Sequence, residues 1–174
     1  SMKSFFILLA FLLPMILFAQ APTNWSSRGM GGGGAMFSPS INPANGNEMS
    51  IACDMTPLLQ SNDKGDHWTT TSFQKISAGH ASKMIYTSNP SIRYCISYPS
   101  VDGFDYVIPM KTTNAGNSWF QLPGNPDSSE QVFFIDADFV NPSRVIMSYY
   151  GSILYSNDGG STFNTIHTAT NPGA

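Results

Sequence analysis

One eight-residue pattern occurs three times in the chain. It reads Ser61-Asn-Asp-Lys-Gly-Asp-His-Trp68, then Thr112-Thr-Asn-Ala-Gly-Asn-Ser-Trp119, then Ser156-Asn-Asp-Gly-Gly-Ser-Thr-Phe163. Each copy sets a hydroxyl (Ser61, Thr112, Ser156) two positions before an Asp or Asn (Asp63, Asn114, Asp158). A Gly follows two further on (Gly65, Gly116, Gly160) and an aromatic three beyond it (Trp68, Trp119, Phe163). This is the chemistry of a tight hairpin turn: the Asp or Asn side chain bonds its own backbone, and Gly takes a conformation that a side chain resists. The copies begin at residues 61, 112 and 156, so they stand 51 and 44 residues apart. That period matches one four-stranded propeller blade better than one helical repeat.

A second mark runs in phase with the first. Asn42-Pro43, Asn89-Pro90 and Asn141-Pro142 each precede an apolar run, Met49–Cys53, Ile92–Ile96 and Arg144–Tyr150. Asn-Pro initiates a turn, and the β-branched and aromatic run after it predicts a buried strand. The unit is therefore turn, buried strand, short loop, second strand, box. No long apolar pattern of helical period occurs, so the fold class expected is all-β, with repeats near 35–70, 80–122 and 131–166.

The boxes resemble the Asp-box, or sialidase-type neuraminidase repeat, of β-propeller proteins. The resemblance implies a propeller fold and little about activity, because the motif recurs in sialidases, family 74 xyloglucanases, sortilin-type receptors and non-catalytic propellers. Its polar groups hold the turn, so the twelve box residues named above are assigned structural roles. Function must be sought elsewhere.

Residues 2–21 have the form of an export signal: Lys3 precedes an apolar stretch from Phe5 to Phe18, and Ala19-Gln-Ala21 offers small residues for cleavage. The alternative, an uncleaved anchor, would have to span with a short stretch interrupted by Pro14. The expectation is a secreted, periplasmic or cell-surface protein whose mature chain, from residue 22 onward, has no membrane partner. Eight scattered Lys and Arg and a net charge of −3 exclude a nucleic-acid surface, which needs clustered basic residues. Cys53 and Cys95 both fall inside apolar strand runs, open either to pairing or to burial as thiols. His67, His80 and His167 are isolated, so neither a metal nor another cofactor is expected.

Roughly 150 mature residues hold three blades, whereas closed propellers carry about four to eight. Three blades leave two sheet faces open, so the expected partners include missing downstream blades or a self-association partner. The chain is read as the N-terminal part of a larger propeller.

The segment before the first box is the most informative for chemistry. Trp25-Ser-Ser-Arg-Gly-Met-Gly-Gly-Gly-Gly34 leads to Phe37-Ser-Pro-Ser-Ile-Asn-Pro43 and then Ile51-Ala-Cys-Asp-Met55. This order resembles the opening of family 74 glycoside hydrolases, secreted enzymes that cleave xyloglucan and related β-glucans. The resemblance, from Trp25 to Trp68, implies that Asp54 is the catalytic general base of an inverting hydrolase acting on a polysaccharide or oligosaccharide. It also implies an acid from a second propeller further along the chain. Where that family continues with a Gly pair and an aromatic, this chain has Met55-Thr-Pro-Leu-Leu59, so structural capping of a turn and ligand binding stay open for Asp54. The Gly run lacks the Lys-Ser or Lys-Thr of a phosphate loop and is better explained by close backbone packing or by a flexible entry segment.

Asp102, Asp105 and Tyr106, in Ser100-Val-Asp-Gly-Phe-Asp-Tyr106, are candidate substrate-binding residues, since rings stack on sugar faces and carboxylates accept hydroxyl protons. Asp-Gly is equally a hairpin turn. Asp136 and Asp138 alternate with apolar residues as on one face of a strand. A sialidase would need an Arg cluster, and only Arg28, Arg93 and Arg144 are present.

Overall fold

The computed structural model describes residues 34–55, 57–122 and 131–170. The apolar stretch of residues 2–21, most of the Gly run and the last four residues lie outside the described residues.

Each repeat folds into one four-stranded antiparallel sheet. The first is β1 (Met36–Asn42), β2 (Asn45–Cys53), β3 (Leu59–Ser61) and β4 (Thr69–Thr70). The second comprises β5 (Ile85–Tyr86), β6 (Arg93–Ser97), β9 (Ile108–Thr112) and β10 (Phe120–Gln121), interrupted by a hairpin of β7 (Ser100–Val101) and β8 (Phe104–Asp105). The third is β11 (Phe134–Ala137), β12 (Val145–Tyr149), β13 (Ser152–Ser156) and β14 (Asn164–Thr168). In every sheet the strands lie side by side in chain order. The predicted buried strands are β2, β6 and β12, the second strand of each sheet.

The three sheets stack face against face. Period-2 alternation gives every strand of the middle sheet two faces, and both are used. Met84, Tyr86 and Cys95 turn to the first sheet and share a cluster with Ala52, Leu58 and Ile76. Ile85, Tyr94 and Ile96 turn to the third and meet Ile135, Val145, Met147 and Leu154. The strands β1, β5 and β11, first in each sheet, touch in succession and form the inner side of the array. Cys53 and Cys95 are both buried and form no disulfide, and burial pushes the Cys95 thiol up to about 12.

Each seam between sheets carries its own polar contacts. Between the first two, Arg93 pairs with Glu48 at 2.7 Å, both largely buried, while Asn42 Nδ2 donates to the other Glu48 oxygen at 2.6 Å. The same guanidinium lies over the Tyr86 ring, 5.2 Å from its centroid. Between the second and third, Lys111 Nζ donates to the Gly159 carbonyl at 2.9 Å and Tyr94 OH to the Pro142 carbonyl at 2.7 Å.

The repeated boxes join the third strand to the fourth, and all three close in the same way. Ser61 Oγ accepts the Gly65 N–H at 2.8 Å and donates to Asp63 Oδ1 at 2.8 Å, while Asp63 Oδ1 accepts the His67 N–H at 2.9 Å. Thr112 and Asn114 repeat the pattern toward Gly116 and Ser118, as do Ser156 and Asp158 toward Gly160 and Thr162. The Trp68 indole N–H closes the first box on the Gly65 carbonyl at 2.9 Å. Two successive residues per box are left-handed: Lys64-Gly65, Ala115-Gly116 and Gly159-Gly160. Gly in the second position was expected; the residue before it was not, because Lys and Ala carry no such preference.

The two sequence marks meet in space. Box backbone N–H groups donate to the start of the second strand in the first sheet, Lys64 to Asn47 at 3.0 Å, and to the turn before the second strand in the other two, Ala115 to Ser91 at 3.0 Å and Gly159 to Ser143 at 2.8 Å. Boxes and Asn-Pro turns therefore occupy one end of the sheets. By antiparallel alternation, the links from second to third strand and from sheet to sheet emerge at the other end.

Candidate functional site

That other end holds Asp54. It follows directly on β2, and its exposed carboxylate lines two adjoining clefts. One, of about 310 Å³, runs past Met55, Pro57 and Phe73. The other, of about 330 Å³, runs past His80, Tyr98 and Asp105. Ser77 and Ala78 are common to both, so the clefts form one open groove with Asp54 at its middle. Among the described residues no Lys or Arg lines either part. Each part falls at the small end of the range for ligand pockets.

Asp54 is also tied to the fold. Its Oδ1 accepts the Ala35 N–H at 2.9 Å, which anchors the start of β1. A Cβ added at Gly34 would lie 2.4 Å from that same oxygen, and Gly34 has a φ of +106°. The last Gly of the run is therefore required by close backbone approach, one of the two roles the sequence left open for the run.

The candidate substrate-binding residues do not act as one group. Asp105, at the end of β8, faces the cleft shared with Asp54. Asp102 sits at the tip of the β7–β8 hairpin with a φ of +54°, followed by Gly103 at +81°; it makes the turn. Tyr106 lines a separate apolar groove of about 230 Å³ with Pro99, Val101, Ile108 and Gln121. The hairpin is thus a partition, with Asp105 on one side and Tyr106 on the other.

Asp136 and Asp138 line one shallow cleft of about 370 Å³ with Arg144, Ile146 and Tyr155, but only Asp136 lies within a strand. β11 ends at Ala137, and Asp138 caps the turn beyond it: its Oδ1 accepts the Val140 and Asn141 N–H groups at 2.9 and 3.0 Å. These backbone donors, led by Asn141, hold its carboxyl below the usual carboxylate range. The two carboxylates thus lie on one side, as the alternation predicts, with the strand ending one residue before Asp138.

Sequence reasoning missed Phe73, His80 and Tyr98. They come from the link between the first two sheets and from the end of β6, which carry no motif. His80 packs its ring 4.4 Å from Phe37, and its carbonyl accepts the Ser38 hydroxyl at 2.6 Å. Their only sequence signal is aromatic character in connecting segments.

The sheet order and stacking define a β-propeller fold, and solved structures agree. YCF48 from Cyanidioschyzon merolae superposes with a TM-score of 0.56 at 15% identity, over 75% of this chain and 36% of that one. A GH74 enzyme from Niastella koreensis gives 0.57 at 20% identity, over 77% and 23%. An ancestral GH74 enzyme gives 0.61 at 18% identity, over 87% and 20%. YCF48 is also among the matches in a structure bound to D1 peptide. No family model matches the chain, and no curated protein does so significantly. The chain spans roughly a fifth to two fifths of the lengths of these structures, and at such identities the likeness concerns the fold.

Proposed function

We propose that the chain is the N-terminal part of a secreted carbohydrate-active propeller protein, a β-glucan hydrolase resembling family 74. In this reading its boxes are Asp-boxes and Asp54 is the general base. One observation carries it: Asp54 from the first sheet and Asp105 from the second line a single open groove, between Phe73 and Tyr98, at the end of the sheets opposite the boxes. Carboxylates accept sugar hydroxyls and rings cover sugar faces. In an inverting reaction Asp54 would remove a proton from the attacking water, and a second carboxyl would protonate the leaving oxygen from the other side of the sugar. Residues 2–21 support export.

A non-catalytic propeller that binds glycan or protein at the cell surface is the second reading. It is favoured by the engagement of Asp54 Oδ1 with the Ala35 N–H, which gives the carboxylate a purely architectural task. Asp54→Asn in the full-length protein separates the two, with xyloglucan hydrolysis and xyloglucan binding measured side by side. Hydrolysis falling at least about a hundredfold with binding retained supports the hydrolase. Absence of hydrolysis in the unaltered protein, with binding intact, supports the binding module.

A further inference from the structure

The geometry points to Tyr98 as an immobilised sugar platform in this groove, with Asp105 beside it as the acceptor for sugar hydroxyls. The inference rests on the glycan reading of the Asp54 groove and assigns roles within it to residues of the second sheet.

Tyr98 is fixed on three sides. Its backbone N–H donates to the Ser77 carbonyl at 2.8 Å, and its hydroxyl accepts the Ala81 N–H at 3.1 Å. Its ring lies flat on the backbone of Gly79: a Cβ placed there would meet Cδ2, Cγ and Cε2 at 2.5, 2.6 and 2.7 Å. Near-equal distances to three ring atoms mean face-on contact, which only Gly permits. The segment beneath is itself locked, because Ser82 Oγ accepts the Gly79 N–H at 2.9 Å and donates to the Ile96 carbonyl at 2.7 Å. Ser97 Oγ accepts the Ser77 N–H at 3.0 Å.

The hydroxyl of this half-buried ring is held by the Ala81 N–H, and what remains open of the ring lines the groove. An aromatic surface held in place before the ligand arrives loses little freedom on binding. The C–H face of a neutral pyranose is the complementary ligand surface, and its equatorial hydroxyls then reach sideways toward the exposed Asp105 carboxylate on the neighbouring hairpin. The polymer therefore crosses Asp54 with one unit seated on the second sheet.

The test is calorimetric titration of the full-length protein with a xyloglucan oligosaccharide and, as a control, a sialylated oligosaccharide. Tyr98→Leu, which keeps an apolar side chain and removes the ring, is expected to weaken xyloglucan binding about tenfold, and Tyr98→Phe to stay within about threefold of the original. Gly79→Ala, which keeps the ring but displaces it, should resemble Tyr98→Leu. Asp105→Asn should weaken binding several-fold; it stands on an exposed hairpin and reports even if a Tyr98 variant fails to fold, as thermal melting will show. Unchanged affinity in folded Tyr98→Leu or in Asp105→Asn overturns the corresponding role while leaving the Asp54 reading intact. A protein that binds no neutral glycan at all overturns the glycan reading and this inference with it.

Discussion

His67 distinguishes the first box from the other two. Its Nδ1 lies 2.6 Å from Asp63 Oδ2, where the third box has the Thr162 hydroxyl on Asp158 and the second has Ser118 on Asn114. Hydrogen bonds led by the His67 backbone N–H bring Asp63 down to about 2, and the bond from Asp63 raises His67 above 6.5. A raised histidine contributes stability that is complete below its unfolded value near 6.5 and is lost as pH rises through the folded value. A lowered carboxylate contributes above about 3.8 and loses it as pH falls toward 2. The first box is thus held most firmly between about pH 4 and 6.5. In Asp63→Asn, the His67 titration followed by NMR should return toward 6.5; no movement would show that the contact has no electrostatic content. Gly34 supplies a second prediction at this scale. Gly34→Ala forces a Cβ onto Asp54 Oδ1 in a left-handed backbone and should cost about 1–3 kcal/mol, read as a lower midpoint in urea unfolding.

Among elements, the box was legible because all its chemistry lies within eight residues, where composition and geometry coincide. Strands β4, β5 and β10 were not, since two residues each offer no periodicity to read. The groove was half legible. Asp54 and Asp105 could be named separately, but their meeting depends on how two sheets stack, and no local pattern encodes that. Ser156→Ala tests the box as an element: it leaves the buried Gly160 N–H without its acceptor, at about 1–3 kcal/mol, whereas Thr112→Ser keeps the hydroxyl and gives up only a buried methyl, at about 0.8 kcal/mol. Chemical denaturation of both variants decides it, and equal losses would refute the role of the hydroxyl. At the first seam, Arg93→Met strands the buried Glu48 carboxylate and should cost about 3–5 kcal/mol. Pairing it with Glu48→Gln should recover part of that loss in a double-mutant cycle.

At the scale of the whole molecule, the array formed by the described residues ends in two faces that no further sheet among them covers. On the third sheet Phe134, Ile146, Ile153 and Tyr155 share the side turned away from the second, by the register of β11, β12 and β13, and Phe134 and Ile146 are exposed. On the first, Met49 and Ile51 of β2 share the outward side, with Ile41 exposed beside them. Residues 22–174 expressed by themselves should therefore self-associate, with a light-scattering mass that rises with concentration, and Phe134→Lys with Ile146→Lys should lower that mass toward a monomer. A monomer throughout would mean that these faces are already covered. The number of faces was foreseeable from chain length and repeat count; which side chains they carry required the register.

The seams have one more consequence. The first joins two opposite charges under an aromatic ring, and the second joins a lysine and a tyrosine to bare carbonyls. A rearranged gene in which the second and third repeats traded places would set Arg93 opposite a sheet with no Glu48 and leave Lys111 facing away from Gly159. Three units that look interchangeable by their boxes thus carry a written order, and permuting them would be penalised at the joints rather than within any unit.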